Sequence, residues 1–111
     1  MKIDKSLLSG SSAMLVLCLL SERDMYGYQI TEELATRSQN VFEMKSGTLY
    51  PLLHTLEQKG LVRAYERTEG GRERRYYSIT EDGRKALAEK REEWDCYNLA
   101  VNRVLGGASN A

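Results

Sequence analysis

The sequence has few of the residues that metal sites and disulfides require, and it has no long hydrophobic run. Its two cysteines, Cys18 and Cys96, are far apart and outside any CxxC motif, and the only histidine is His54. Structural zinc takes four such ligands, so we expect no metal, no cofactor and two reduced thiols. The longest apolar run, Ala13 to Leu20, has eight residues, and a membrane-spanning helix needs roughly 18.

Features of secretion and of catalysis are missing as well. The N-terminus, MKIDKSLL, has no signal-peptide pattern, so we expect the protein to remain in the cytoplasm. No carboxylate pair, nucleophile with a neighbouring base or phosphate-binding loop is placed for chemistry, which argues against an enzyme. At 111 residues the chain is a single domain with a modest core, and we expect it to need a partner subunit.

The net charge is zero, yet the charges are unevenly distributed along the chain. Residues 45–78 carry seven basic and four acidic side chains, a net charge of +3, whereas residues 1–44 and 79–95 each carry −2. A localised positive block is typical of a phosphate-binding surface. A chance excess of this size is the alternative.

The segment from Lys45 to Gly60 has the pattern of an amphipathic helix. Leucines recur at spacings of three and four and predict a side that faces the core: Leu49, Leu52, Leu53 and Leu56. The other side has no acid before Glu57 and carries Ser46, Thr48, Tyr50, His54 and Gln58. Because a helix N-terminus is electropositive, we interpret this side as a DNA-recognition surface, with an ordinary wet surface as the alternative. Pro51 places the helix start at Thr48 or near Ser46.

Two helical segments precede this one. Residues 5–20 end in the run AMLVLCLL, which is apolar almost all round and therefore invites a second subunit on one side. A shorter amphipathic helix is predicted from about Met25 to Arg37, followed by a turn from Ser38 to Glu43. A helix, a short connection and a helix with a polar outer side make the helix-turn-helix plan, in which the second helix enters the major groove.

The segment after Gly60 predicts a β-hairpin. Its strands are Leu61 to Arg67 and Arg74 to Ile79, and Gly70-Gly71 supplies the positive backbone angles of the tip. Alternation puts Tyr77 and Ile79 on one side of the second strand, and Ile79 marks that side as buried. The opposite side then carries Arg74, Tyr76 and Ser78.

A basic hairpin directly after a recognition helix is a wing. We expect Arg72 at its tip to enter a minor groove, and Arg74 or Arg75 to meet a phosphate. For each of these arginines taken singly, solvated charge on a surface strand is the alternative.

The last helix has the pattern of a dimerisation element. Thr80 is its predicted cap, and Leu87, Trp94 and Val101 recur every seven residues. Trp94 is the only tryptophan, and its ring in a dimer either lines a slot for an aromatic ligand or only packs. We therefore expect a winged helix-turn-helix domain over residues 1–80, a dimerisation helix over 81–105 and a disordered tail over 106–111.

Four motifs in register resemble the PadR family of bacterial transcriptional regulators. They are YGYxI (residues 26–30), GTLYPLL (47–53), LExKGLV (56–62) and GGRxRRYYxITxxG (70–83). The match runs from about Leu15 to Leu87 and continues loosely to Trp94. The resemblance implies a mainly α-helical, winged helix-turn-helix repressor that dimerises through its C-terminal helix and leaves its operator when a small molecule binds.

The resemblance also implies roles for individual residues. The family's DNA contacts fall on Tyr28, Lys45, Ser46, Thr48, Tyr50, Gly71 and Arg72, to which the helix and wing patterns add His54 and Arg74. The short C-terminal part is similar to a compact subgroup, some of whose members bind planar drugs between paired tryptophans. An effector site is therefore expected at Trp94, Leu15 and Tyr97, and a dimer interface at Leu15, Leu19, Leu87, Trp94 and Val101. A winged-helix module that binds a protein and not DNA is the alternative class, since the fold alone permits it.

Overall fold

Four helices and a small antiparallel sheet make up the computed structural model, which describes residues 1–106. The helices are α1 (Lys5–Glu22), α2 (Gly27–Arg37), α3 (Ser46–Gln58) and α4 (Glu81–Val104). Strands β2 (Val62–Glu69) and β3 (Arg72–Ile79) form a hairpin, here called the wing, and β1 (Met25–Tyr26) adds to its other edge in the order β1-β3-β2. The predicted mainly helical winged helix-turn-helix class is confirmed.

The third strand was not predicted from the sequence. Met25 and Tyr26, expected at the start of the second helix, instead pair with Tyr77 and Tyr76 of β3. The helix begins at Gly27, and the Gln29 side chain accepts a hydrogen bond from the Tyr26 amide at 3.1 Å. A two-residue strand has no periodicity of its own, and its extended backbone is stabilised by the hydrogen bonds that β3 offers.

The wing is longer than predicted and has a tighter tip. Its strands pair as far as Glu69 and Arg72, so Gly70 and Gly71 alone form the connection. Both glycines have positive φ, +56° and +75°, which is the requirement of a two-residue turn whose twist matches that of the strands. The prediction of a Gly-Gly tip is confirmed, and the predicted six-residue connection is wrong.

The core lies between the inner face of the sheet and helices α1, α2 and α3. Its fully buried members include Val16, Leu17, Leu20, Met25, Ile30, Leu49, Leu53 and Val62. Leu19 and Leu87, predicted at a dimer interface, belong to this core and are 3% and 8% exposed in the single chain. Little of their surface is left for a partner in the single chain, and a dimer contact at these two positions stays a prediction.

The ends of α3 and the start of α4 are closely connected. Helix α3 begins at Ser46 with Lys45 as its N-cap residue, so Pro51 lies inside the helix and removes one backbone donor. Past the last turn, Gly60 has φ +74°. The Thr80 hydroxyl oxygen accepts a hydrogen bond from the Gly83 amide at 3.0 Å and donates to the Gly60 carbonyl at 2.7 Å. The predicted cap at Thr80 is therefore confirmed.

Helix α4 extends well beyond the body of the domain. After Leu87, only Lys90 and Val101 among its residues are even half-buried. Within residues 1–106, no helix is both long and apolar enough to span a bilayer. Gly106 ends the described part in a turn, and the rest of the predicted tail lies outside the described residues.

Candidate nucleic-acid interface

The N-terminal turn of α3 presents backbone donors to solvent. The amides of Thr48 and Leu49 donate to the Lys45 carbonyl at 2.9 Å each, which leaves those of Ser46 and Gly47, the first two of the helix, without a backbone partner among the described residues. No side chain in residues 1–106 caps this end, and the first turn contains no acid. Lys45, Ser46 and Thr48 are exposed. Because the first amides of a helix lack intrahelical partners and lie at the positive end of its dipole, this turn is chemically suited to a phosphate.

Tyr50 leans from α3 onto the start of α2. A Cβ placed on Gly27 would lie 2.2 Å from the Tyr50 hydroxyl oxygen and 2.7 Å from its Cζ, so the phenol occupies the space of a side chain at position 27. Tyr50 is still 47% exposed, and Tyr28, beside Gly27, is 64% exposed. A hydrogen bond with Glu32 raises the pKa of Tyr28. The junction of α2 and α3 thus places two tyrosine side chains next to the open helix end.

The remaining predicted contact residues lie on the surface, with one exception. His54 is exposed one turn after Tyr50, and Gly71 and Arg72 are exposed at the tip of the wing. Arg74 is half-buried.

Arg37 of α2 donates two hydrogen bonds to Glu22, at 2.6 and 2.8 Å, and these hold α2 against the end of α1. A third bond from Arg37, at 2.8 Å, goes to Glu33 within α2.

The inner side of the wing neutralises one of its arginines. Arg75 lies 3.5 Å from Glu57 at the end of α3 and 3.1 Å from Glu66 across the hairpin. Two carboxylates therefore hold this guanidinium between α3 and the wing. Of the two arginines expected to meet phosphate, Arg75 is the one whose charge is already compensated.

The outer side of the wing carries a cluster of tyrosines and arginines that alternation alone did not reveal. Tyr76 stacks on Tyr65 with ring centroids 5.8 Å apart and meets Tyr26 edge-on at 5.3 Å. Arg67 lies 4.6 Å from the centre of the Tyr76 ring, and Arg74 lies 4.4 Å from that of Tyr26. Tyr76 is only 4% exposed although it points away from the core, because its neighbours on β1 and β2 cover it.

A shallow groove of about 350 Å³ separates α1 from α4. Its lining includes Trp94 and Tyr97, whose ring centroids are 6.3 Å apart, together with Leu7, Met14 and Lys90. Leu15 is not among the described residues that line this groove. It follows Met14 by about 100° around the helix, and its place at an effector site beside Trp94 stays a prediction.

Comparison with known proteins agrees with this architecture. A family model described as "Transcriptional regulator PadR-like family" matches residues 16–89. Transcriptional regulator Rv3488 of Mycobacterium tuberculosis is 40% identical over 90 residues, which cover 81% of this chain and 78% of that protein.

Two solved structures are similar along almost the whole chain. A transcriptional regulator from Clostridium thermocellum has a TM-score of 0.83 at 32% identity and covers 88% of this chain and 96% of its own. A PadR family regulator from Eggerthella lenta has a TM-score of 0.82 at 32% identity, with 92% and 88% covered. The match to residues 16–89 confirms the resemblance seen in the motifs: this chain is a transcriptional regulator, not an enzyme, and it belongs to the PadR-like family.

Proposed function

We propose that the protein is a homodimeric repressor that binds operator DNA through α3 and the wing and is released by a small, planar aromatic effector. The observation that carries the DNA-binding part is the α3 N-terminus. It combines open backbone amides, the absence of an acid in the first turn and a lysine at the N-cap. Exposed Tyr50 lies beside it, against the start of α2 where Tyr28 is also exposed. Backbone, lysine and phenol donors therefore lie at one helix end that fits a major groove.

The proposed dimer is supported by the state of α4. This helix has 24 residues, and its second half exposes large apolar side chains: Trp94, Tyr97, Leu99 and Val104. A helix that is left uncovered in this way gains stability from a second copy of itself. Residues 1–80 then act as the DNA-binding unit and 81–105 as the dimerisation helix, with Trp94 and Val101 in the seam.

The proposed effector site is the groove between α1 and α4. A flat ligand would stack on Trp94 and Tyr97, where large aromatic surfaces are available. Because the same helix would hold the two subunits together, a bound ligand would change the separation of the two recognition helices. Half-sites lie about one helical turn, 34–36 Å, apart, so a shift in that separation weakens operator binding.

DNA binding is tested by fluorescence anisotropy with a duplex from the region upstream of the protein's own gene. Lys45→Ala and Arg72→Ala are expected to weaken binding and to flatten the plot of log affinity against log salt, by about 0.9 for each phosphate contact removed. Lys85→Ala, an exposed lysine on α4, is the matched control. Unchanged affinity and slope in both test variants would contradict DNA binding through this surface and favour a protein-binding module.

Assembly is tested by analytical ultracentrifugation of the wild type and of Val101→Glu, which places a charge in the proposed seam on the same side of α4 as Trp94. We expect the wild type to be a dimer. The variant should dissociate at a higher protein concentration than the wild type does, because a buried unpaired carboxylate opposes association. Leu99→Glu also replaces an apolar residue with a carboxylate, but on the opposite, exposed side of the helix, and serves as control. A wild-type monomer at micromolar concentration would refute the dimer.

Effector binding is tested with acridine as a planar aromatic probe. Trp94 is the only tryptophan, so its emission reports on the groove directly. We expect micromolar acridine to quench this emission and the Trp94→Ala variant to lose the accompanying release of DNA. If acridine changes neither the emission nor the DNA affinity of the wild type, Trp94 has a packing role only.

A further inference from the structure

Three arginines share the outer side of the distal wing. Strand register pairs Arg67 with Arg74 and Glu69 with Arg72, and alternation places these four residues on the same face. The Arg67–Arg74 pair lies two residue pairs back from the tip, a distance of about 7 Å along the strands. A polyanion that passes the outer side of the tip therefore reaches all three guanidinium groups.

Stacking on tyrosine holds two of these guanidinium groups in place. Arg67 lies over Tyr76 at 4.6 Å and Arg74 over Tyr26 at 4.4 Å. A guanidinium stacked through its flat face keeps its N–H groups, which lie in the plane, free for an acceptor at the edge. Because two long side chains are already held in place, less side-chain conformational entropy is lost when a ligand binds.

The hydrogen-bonding capacity of this pair is only partly used. Arg74 has no carboxylate partner in the described part of the chain. Its Nε is buried without a hydrogen-bond partner there, so a ligand would meet the terminal nitrogens of this guanidinium. Arg67 has one carboxylate nearby, Glu69 at 3.1 Å, and that carboxylate also accepts a hydrogen bond from the Tyr76 hydroxyl at 2.6 Å. Arg75 on the inner side, by contrast, is held by two carboxylates. The outer side thus keeps an excess of donors and positive charge.

We propose that Arg67 and Arg74 form a phosphate-binding pair on the outer side of the wing, which holds the DNA backbone next to the segment that the tip contacts. This inference rests on the proposed DNA-binding function and adds to it a residue, Arg67, and a face of the hairpin. Planar guanidinium groups suit the paired oxygens of a phosphodiester. Tyr26 and Tyr76 act as positioning residues, and Glu69 competes with the phosphate for Arg67.

The test is the salt dependence of anisotropy-detected binding to the same upstream duplex. Arg67→Gln and Arg74→Gln are each expected to lower the slope of log affinity against log salt by about 0.9. Arg67→Lys keeps the charge and is expected to keep the slope while weakening affinity, because an ammonium cannot replace the planar fork. Arg75→Gln is the matched control on the inner side, with an unchanged slope. Glu69→Gln retains an acceptor for Tyr76 and is expected to tighten binding about two- to fivefold, the value of an exposed ion pair.

Two controls separate this inference from the proposed function. Thermal unfolding of each variant establishes that the fold is intact, and Lys45→Ala reports on α3 alone. If Lys45→Ala flattens the slope while Arg67→Gln and Arg74→Gln leave it unchanged, the phosphate-binding pair is refuted and DNA binding through α3 stands. The outer face would then suit an acidic protein partner. If the wild type fails to bind the duplex, the proposed function itself is wrong.

Discussion

The contact between Gly27 and Tyr50 allows DNA binding to be separated from stability by adding a single methyl group. In Gly27→Ala, the new Cβ would lie 2.2 Å from the Tyr50 hydroxyl oxygen. Gly27 does not have a positive φ, so alanine fits the backbone, and helix propensity favours alanine by up to about 1 kcal/mol. The end of the Tyr50 side chain must therefore move by more than about 1 Å to restore ordinary van der Waals separation.

The expected cost falls on binding, because Tyr50 is 47% exposed and can swing into solvent. We expect the free energy of unfolding to change by less than about 1 kcal/mol. If the displaced hydroxyl donates to a phosphate, the lost hydrogen bond to a charged group is worth about 1.5–3 kcal/mol. That range corresponds to DNA binding weakened by about 10- to 150-fold.

A double-mutant cycle measures whether the effect passes through Tyr50. Dissociation constants are determined by fluorescence anisotropy for Gly27→Ala, Tyr50→Ala and the double variant, with urea unfolding as the stability measurement. Once the Tyr50 side chain is removed, the alanine at position 27 has nothing to displace, so the double variant should bind as Tyr50→Ala does. If the losses of binding free energy in the two single variants add up in the double variant, the reasoning is refuted. It is also refuted if Gly27→Ala binds DNA with wild-type affinity.

Three further predictions concern stability. Gly83→Ala should destabilise the fold by about 1–3 kcal/mol in urea unfolding, because its Cβ would lie 2.1 Å from a backbone carbonyl oxygen. In the matched variant Gly10→Ala the new Cβ meets nothing within 4 Å, so this variant should be more stable by about 0.5–1 kcal/mol. Thr80→Ala should lose about 1 kcal/mol of capping, and Thr80→Ser much less; equal losses would contradict the cap. Hydrogen bonds from Arg37 lower the pKa of Glu22 below its ordinary value near 4.5. The stabilisation from these hydrogen bonds is present above pH 4.5 and disappears as the pH falls through the lowered pKa. On acidification below pH 4.5, the melting temperature of Glu22→Gln should therefore fall less steeply than that of the wild type.

Elements with local signals were predictable from the sequence. The leucine spacing of α3, the Gly-Gly tip of the wing and the Thr80 cap each depend on residues within one or two turns of one another, and all three appear in the structure. The motifs that carry the family resemblance lie on these same elements. These elements and the family could therefore be predicted from the sequence before any tertiary contact was known.

Residues whose burial the sequence pattern did not predict depend on distant neighbours. Tyr76 was placed on a solvent side by alternation, yet it is buried because Tyr26 and Tyr65, from two other strands, cover it. Leu19 and Leu87 fit a dimer seam by spacing, yet the single chain buries both in its own core. A periodic pattern states which residues share a side, and it does not state what will cover that side.

The sequence by itself determined the helix-turn-helix and wing elements, because hydrophobic periodicity, glycine at positive φ and a hydroxyl cap act over a few residues. Tertiary structure alone decided how those elements are used. It added β1 to the sheet, paired Arg75 with two acids on one side of the wing, and left Arg67 and Arg74 stacked on tyrosines on the other. The physical reason is that burial and charge compensation depend on residues far apart in the chain, whose proximity exists only once the fold has formed.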